Sequence, residues 1–261
     1  MSALERIVEQ TRTDLRYRRV AAPPRALERA AAARDPGDWR SFADALREPG
    51  VSVIAEHKRR SPSAGAIRED LELAEVVGAY ERAGARALSI LTEGPNFGGS
   101  LGDLRQARAA VSPPLLRKDF VVDSYQLLEA VAAGADAVLL IVAALGADEL
   151  ASLHGEATAL GLDVLVEVHD RSELEQAVAA GAEIIGINNR DLTTLTVDLQ
   201  TTFELVPQIP DGAIVVAESG FSRRDEIDEL AAAGVDAVLI GEALMRSPDI
   251  EAACRALTAS R

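Results

Sequence analysis

"AGADAVLLI", residues 133–141, decides the fold because it recurs. A small-residue turn through glycine, followed by an apolar run, returns as "AGARALSIL" (83–91), "AGAEIIGIN" (180–188) and "AGVDAVLIG" (233–241). The glycines at 84, 134, 181 and 234 stand roughly fifty residues apart, the spacing of a repeated supersecondary unit. An alanine-rich pattern with helical period precedes each one. The unit therefore reads as helix, glycine C-cap and buried strand. Apolar runs without polar alternation suit parallel strands covered by helices.

Outward from these four, further strands lie at "VSVIAEHK" (51–58), "PLLRKDF" (114–120), "DVLVEVHD" (163–170) and "AIVVAESG" (213–220). Eight helical patterns fill the gaps, from "LELAEVVGAYERA" (71–83) to "DIEAACRALTA" (249–259). Eight strands alternating with eight helices predict a (β/α)8 TIM barrel, with an open doubly wound sheet as the alternative. Residues 1–45 read as an N-terminal helical extension and 46–261 as the barrel. The basic "RYRR" at 16–19 is expected on a solvated helix face.

The 261 residues, 48% hydrophobic and 26% charged, suffice for a large core and argue against disorder. A net charge of -15 argues against a nucleic-acid or anionic-membrane surface, since both need a basic face. No apolar run approaches the roughly 20 residues of a membrane helix, and the start shows no secretory h-region, so a cytoplasmic place is expected. Cys254, the single cysteine, excludes an intrachain disulfide and reads as a packed helix residue. His57, His154 and His169 lack ligand spacing, and no structural metal is expected.

In such barrels the chemistry sits at the C-terminal ends of the strands. Polar residues gather there: Glu56 and Lys58 on the first strand, Lys118 on the third, Glu167 on the fifth, Asn188 and Arg190 on the sixth, Glu218 and Ser219 on the seventh. Period-2 geometry puts Ile54, Glu56 and Lys58 on one face and Val53, Ala55 and His57 on the other. Buried charges are costly unless paired, so this concentration implies a catalytic cavity or mutual pairing. Gly220 in "ESGFS" and Gly241 in "IGEALM" fall in the last two loops, where barrels bind phosphate through backbone N–H groups, and Ser61 could add a hydroxyl. A phosphorylated small-molecule substrate follows.

The motifs "IAEHKRRSPS", "LTEGPNFGGSL", "LLRKDF", "VEVHD", "GINNRDL", "AESGF" and "LIGEALM", in this order, give the chain a resemblance to indole-3-glycerol phosphate synthase. The resemblance implies conversion of 1-(2-carboxyphenylamino)-1-deoxyribulose 5-phosphate to indole-3-glycerol phosphate, with loss of carbon dioxide and water and no cofactor. It implies that Lys118 is the general acid, Glu167 the base of the dehydration, and Lys58 a partner of the substrate carboxylate and possible second acid. Glu56, Asn188, Glu218 and Ser219 match positions that orient these groups, and Arg190 matches a support at the edge. Ser61, Gly220, Gly241 and Glu242 match the phosphate site, Glu242 through its N–H. Phe97, Phe120, Leu139 and Ile141 match the apolar wall around the aryl ring, although core packing explains these four equally well. His57, Arg60 and Ala64 depart from common family residues. A monomer or weak homo-oligomer is expected. The rivals are a phosphoribosylanthranilate isomerase, which needs a cysteine at the end of the first strand, a Schiff-base aldolase using Lys58 or Lys118, and a non-catalytic phosphate-binding barrel.

Overall fold

The computed structural model describes residues 2–259. Eight parallel strands close into a barrel: β1 Ser52–His57, β2 Ala87–Leu91, β3 Leu115–Lys118, β4 Ala137–Ile141, β5 Asp163–Val168, β6 Ile184–Asn188, β7 Ile214–Glu218 and β8 Ala237–Ile240. Each strand pairs with its sequence neighbour, and β1 pairs with β8, so the sheet has no edge. The open-sheet alternative is thereby set aside. The four repeated glycines all adopt left-handed backbone, with φ from 82° to 97°. That conformation favours glycine and turns each helix into the next strand. The acidic residue of the repeat also holds the barrel together. Asp136 accepts from the Leu115 N–H and Asp236 from the Val215 N–H, each tying the start of the neighbouring strand.

Strand alternation sorts the core into two layers. Val53, Leu88, Leu115, Val138, Val166, Ile185, Val215 and Val238 face the helices, while Ile54, Ala87, Leu116, Leu139, Leu165, Ile184, Val216 and Leu239 fill the barrel. His57 is buried on the outer layer and Glu56 on the inner one, as the parity of β1 requires.

Three α-helices precede β1: α1 Ala3–Ala21, α2 Pro24–Ala32 and α3 Phe42–Leu46. Phe42, Ala43 and Leu46 of α3 pack with the barrel interior, and the backbone N–H groups of Phe42 and Ala43 donate to Asp163 at the foot of β5. This short helix therefore plugs the floor. Helix α1 runs along the barrel wall instead, its Arg18 paired with buried Glu129 and its Arg19 with Asp123. The basic cluster at 16–19 is thus largely a solvated face: Arg16, Tyr17 and Arg19 are exposed, Arg19 pairing with Asp123 at the surface, whereas Arg18 clamps the extension to buried Glu129. Cys254 is fully buried in the last helix, which raises its thiol pKa to about 12. None of the described helices is long and apolar enough to cross a membrane.

Candidate active site

A cavity of about 420 Å³ opens at the C-terminal ends of the strands. Its lining includes all seven strand-end residues expected to act, Glu56, Lys58, Lys118, Glu167, Asn188, Glu218 and Ser219, together with Phe97, Phe120, Leu139, Ile141, Arg190, Gly220, Gly241 and Glu242. Ser61 is the exception. It lies in an adjoining cavity of about 90 Å³ beneath Ala3, Leu4 and Ile7 of α1, and its hydroxyl accepts from the Ala64 N–H. The two-residue ribbon Arg60–Ser61 and Gly65–Ala66 turns it there, a register that position in the sequence alone does not reveal.

The charged side chains form a chain of pairs across the mouth. Lys58 Nζ is 2.9 Å from Glu56 Oε1, and Ser89 Oγ donates to the other Glu56 oxygen at 3.3 Å. Lys118 Nζ is 3.1 Å from Glu218 Oε2 and 3.4 Å from Glu167 Oε2. Asn188 Nδ2 donates to Glu167 Oε1 at 3.1 Å, while the Asn188 side-chain carbonyl oxygen accepts from the Arg190 N–H. Strand register sets these side chains at one height of the barrel, with Glu167 beside Ile141 and Gly186 and Asn188 beside Glu218.

The carboxylates are pushed apart in acidity. Burial would raise Glu167, but Lys118, His169 and Asn188 outweigh it and lower its pKa to about 2. For Glu218 burial prevails: with Glu167 nearby as a like charge and only Lys118 opposing, its pKa rises to about 7. Burial would lower Lys118, yet Glu218, Glu167 and Glu56 raise it above the ordinary lysine value. Lys118 is therefore a protonated ammonium at neutral pH, able to donate to an oxygen on which charge develops. Two carboxyl groups of unequal acidity beside it can share acid and base work.

The wall opposite is apolar. Phe97 and Phe120 meet at 6.2 Å between ring centroids, and Leu139 and Ile141 project from the same face of β4. Glu93 holds Phe97 in place by accepting from the N–H groups of Asn96 and Phe97. At the far end, Ser219 and Gly220 both have left-handed backbone, with φ of 64° and 97°. For serine that conformation is strained, a feature that clusters at functional sites. Gly241 is glycine for a different reason, because a Cβ there would lie 2.5 Å from Glu56 Oε1. Glu242 keeps its carboxylate 3.0 Å from Arg246 Nε across one helical turn.

Several residues of the site escape a reading of the sequence alone. Leu192 and Arg246 line the cavity without any strand-end signal. Leu4 and Ile7 reach the mouth from α1, a contact across the whole chain that local pattern cannot show. His169, two residues beyond Glu167, would share its face if the strand ran on, but β5 ends at Val168 and the ring meets Glu167 from the bend that follows.

The family model of indole-3-glycerol phosphate synthase matches residues 4–257. The indole-3-glycerol phosphate synthase of Nocardioides sp. is 50% identical over 258 residues, covering 99% of this chain and 98% of that protein. That of Sulfurimonas denitrificans is 47% identical, with 97% of each chain covered. Among solved structures, 3-hexulose-6-phosphate synthase from Salmonella typhimurium superposes with a TM-score of 0.63 at 15% identity, covering 80% of this chain and 97% of that one. A tryptophan synthase alpha-subunit from Pyrococcus furiosus gives 0.61 at 15% identity, covering 79% and 97%. At such identity these two speak for the barrel alone.

Proposed function

The chain belongs to the indole-3-glycerol phosphate synthase family, and from that membership and the geometry of the mouth we propose that it converts 1-(2-carboxyphenylamino)-1-deoxyribulose 5-phosphate to indole-3-glycerol phosphate, carbon dioxide and water in tryptophan biosynthesis. The observation that carries the proposal is the protonated Lys118 lodged between two buried carboxylates of unequal acidity, beside an apolar wall. The enzyme is a carbon–carbon lyase.

In the first step the aryl carbon bearing the carboxylate attacks the ketone, and Lys118 gives its proton to the oxygen as charge develops. Loss of carbon dioxide returns the bonding pair to the ring and restores its aromaticity. The new hydroxyl then leaves as water with a proton from Lys58 as the second acid, while Glu167 removes the adjacent carbon-bound proton; that proton passes back to Lys58, and Lys118 regains its own from solvent. Lys58 faces the substrate carboxylate, steadied by Glu56, and Asn188 orients Glu167. Gly220, Gly241 and Glu242 present backbone N–H groups to the phosphate, and Ser61 adds its hydroxyl from the adjoining cavity, which shares Lys58 and Arg190 with the mouth. Phe97, Phe120, Leu139 and Ile141 hold the aryl ring. No cofactor is required. Residues 1–45 serve as a structural extension to a catalytic barrel at 46–261, and the enzyme works in the cytoplasm as a monomer or weak homo-oligomer.

A Schiff-base aldolase would need a lysine whose pKa is depressed, whereas three carboxylates raise that of Lys118. The phosphoribosylanthranilate isomerase reading lacks its cysteine, since the chain's single one is Cys254, in the last helix. The test is turnover by the purified protein, dialysed against a chelator, followed by fluorescence of the indole product and by trapped carbon dioxide. Equal amounts of the two products are expected, and absence of product at saturating substrate contradicts the proposal.

A further inference from the structure

His169 is a half-buried titratable group next to the reacting carboxylate that no step above employs. It stands in the bend just after β5, and its ring turns back to Glu167, two residues earlier. On one side the ring is fixed: Nδ1 is 2.9 Å from Glu173 Oε2, and the His169 N–H donates to the same oxygen at 2.7 Å. On the other side Nε2 points at Glu167 Oε1 from 3.4 Å. That nitrogen is buried and makes no aligned hydrogen bond, although it lies within ion-pair reach. Glu173 itself sits at the first turn of the helix Arg171–Ala179, its N–H donating to Asp170 Oδ1, so the anchor is rigid.

We propose that His169 is a positioning residue for Glu167: clamped by Glu173, it acts as the cationic partner that keeps Glu167 ionised and aimed when Lys118 turns from Glu167 to the substrate. The proposal rests on the reading in which Lys118 and Glu167 do the proton transfers. Glu167 has three partners, Lys118 on Oε2, with Asn188 and His169 on Oε1. Only Asn188 and His169 remain when the lysine gives its proton to the developing alkoxide. Asn188 carries no charge. Without the imidazolium, Glu167 would then face the substrate as a buried carboxylate with no cation at contact distance, a state that burial disfavours.

The groups facing the ring from the packed elements are Glu167 on β5, Glu173 on the following helix and Asp191 in the loop after β6. On the far side of Glu167, Lys118 meets its other oxygen. Burial works against the charged ring, but the two glutamates outweigh it and raise its pKa to about 10. At physiological pH the clamp is therefore an imidazolium between two carboxylates.

Two amide substitutions separate its two contacts. His169→Gln carries its amide far enough to reach Glu167 in place of Nε2, whereas His169→Asn keeps only the Glu173 side, in place of Nδ1. Steady-state kinetics across pH 4 to 10 should show His169→Asn losing roughly 10-fold or more in kcat, with KM within about 3-fold and an acid limb of kcat brought into this range from below it, where the native Glu167 titrates, as the loss of a cation within ~4 to 6 Å of a carboxylate demands. His169→Gln should recover part of kcat. Equal losses in both variants with no movement of the acid limb reduce His169 to a structural contact and overturn the proposal, as do two variants with native kinetics. Imidazole NMR reads the clamp without turnover, since the chain has only three histidines. The His169 ring should stay protonated at pH 8 in the native enzyme and titrate at least about one unit lower in Glu167→Gln, one carboxylate having been removed. A ring neutral at pH 8 refutes the clamp. Unimpaired turnover in Glu167→Gln would instead refute the catalytic reading on which it rests.

Discussion

Lys118→Met removes the ammonium from between Glu167 and Glu218, leaving two buried carboxyl groups with one cation fewer. The consequence can be worked out from Glu218. In the native protein burial, helped by the Glu167 charge and opposed by Lys118, raises its pKa from 4.5 to about 7. A carboxyl group whose pKa is raised by folding binds its proton more tightly in the folded state than in the unfolded one. Stability therefore falls as pH rises from 4.5, by ~1.36 kcal/mol per pH unit, and levels off above about 7, where both states are ionised. In Lys118→Met the charge that stops the rise is gone, and the levelling is deferred. Buried glutamates without a cation reach pKa values of about 8–9, so the variant loses a further ~1.4 to 2.7 kcal/mol between pH 7 and 9, at ~1.36 kcal/mol per unit, while the native protein loses almost nothing from this group. This sits below the ~3–5 kcal/mol measured for breaking buried ion pairs. Urea unfolding of both proteins from pH 5 to 9 measures it. Parallel stability curves would refute the reasoning, because a difference that ignores pH cannot arise from an uncompensated carboxyl.

Three further outcomes follow from contacts in the same region. Burial lowers the His57 pKa from 6.5 to about 4, so the stability tied to its neutral ring is complete above pH 6.5 and is lost as pH falls toward 4; His57→Ile should abolish that loss of up to ~3 kcal/mol with kcat unchanged, and an unaltered acid slope in thermal melts would contradict it. Gly241→Ala places a Cβ 2.5 Å from Glu56 Oε1, forcing Glu56 off Lys58 at a cost of ~1–3 kcal/mol; kcat should fall more than Tm suggests, and native kcat would show the Glu56–Lys58 pair to be dispensable. Gly220→Asp puts a carboxylate at a left-handed position where a Cβ would meet Leu199 and Val197; KM should rise well beyond any change in kcat, and a folded variant with unchanged KM would move the phosphate elsewhere.

Local periodicity is enough to read the barrel and most of its mouth, because a strand permits only two faces. Once Glu56 is assigned inward, Ile54 and Lys58 must follow, and His57 must turn to the helices. The glycine repeat marks four strand starts, and each of its glycines has the backbone that the pattern implies. What stays hidden depends on contacts distant in sequence. Nothing in "LERI" says that Leu4 and Ile7 will roof the small cavity above Ser61. The pairing of Arg18 with Glu129, 111 residues away, turns one residue of a basic, largely solvated cluster into a clamp. That Ser61 lines the adjoining cavity is hidden too, because the direction of a hairpin loop depends on turn geometry, not on distance along the chain. His169 escapes notice, since β5 ends at Val168 and a histidine two residues from a carboxylate reads equally well as a loop residue.

The central claim is that Lys118 supplies the proton for ring closure, and steady-state turnover of 1-(2-carboxyphenylamino)-1-deoxyribulose 5-phosphate by Lys118→Ala tests it most directly. The account predicts a fall in kcat of about 10²-fold or more with KM changed only a few-fold, the signature of a lost proton-transfer group. A folded Lys118→Ala enzyme that forms indole-3-glycerol phosphate at close to the native rate would contradict it.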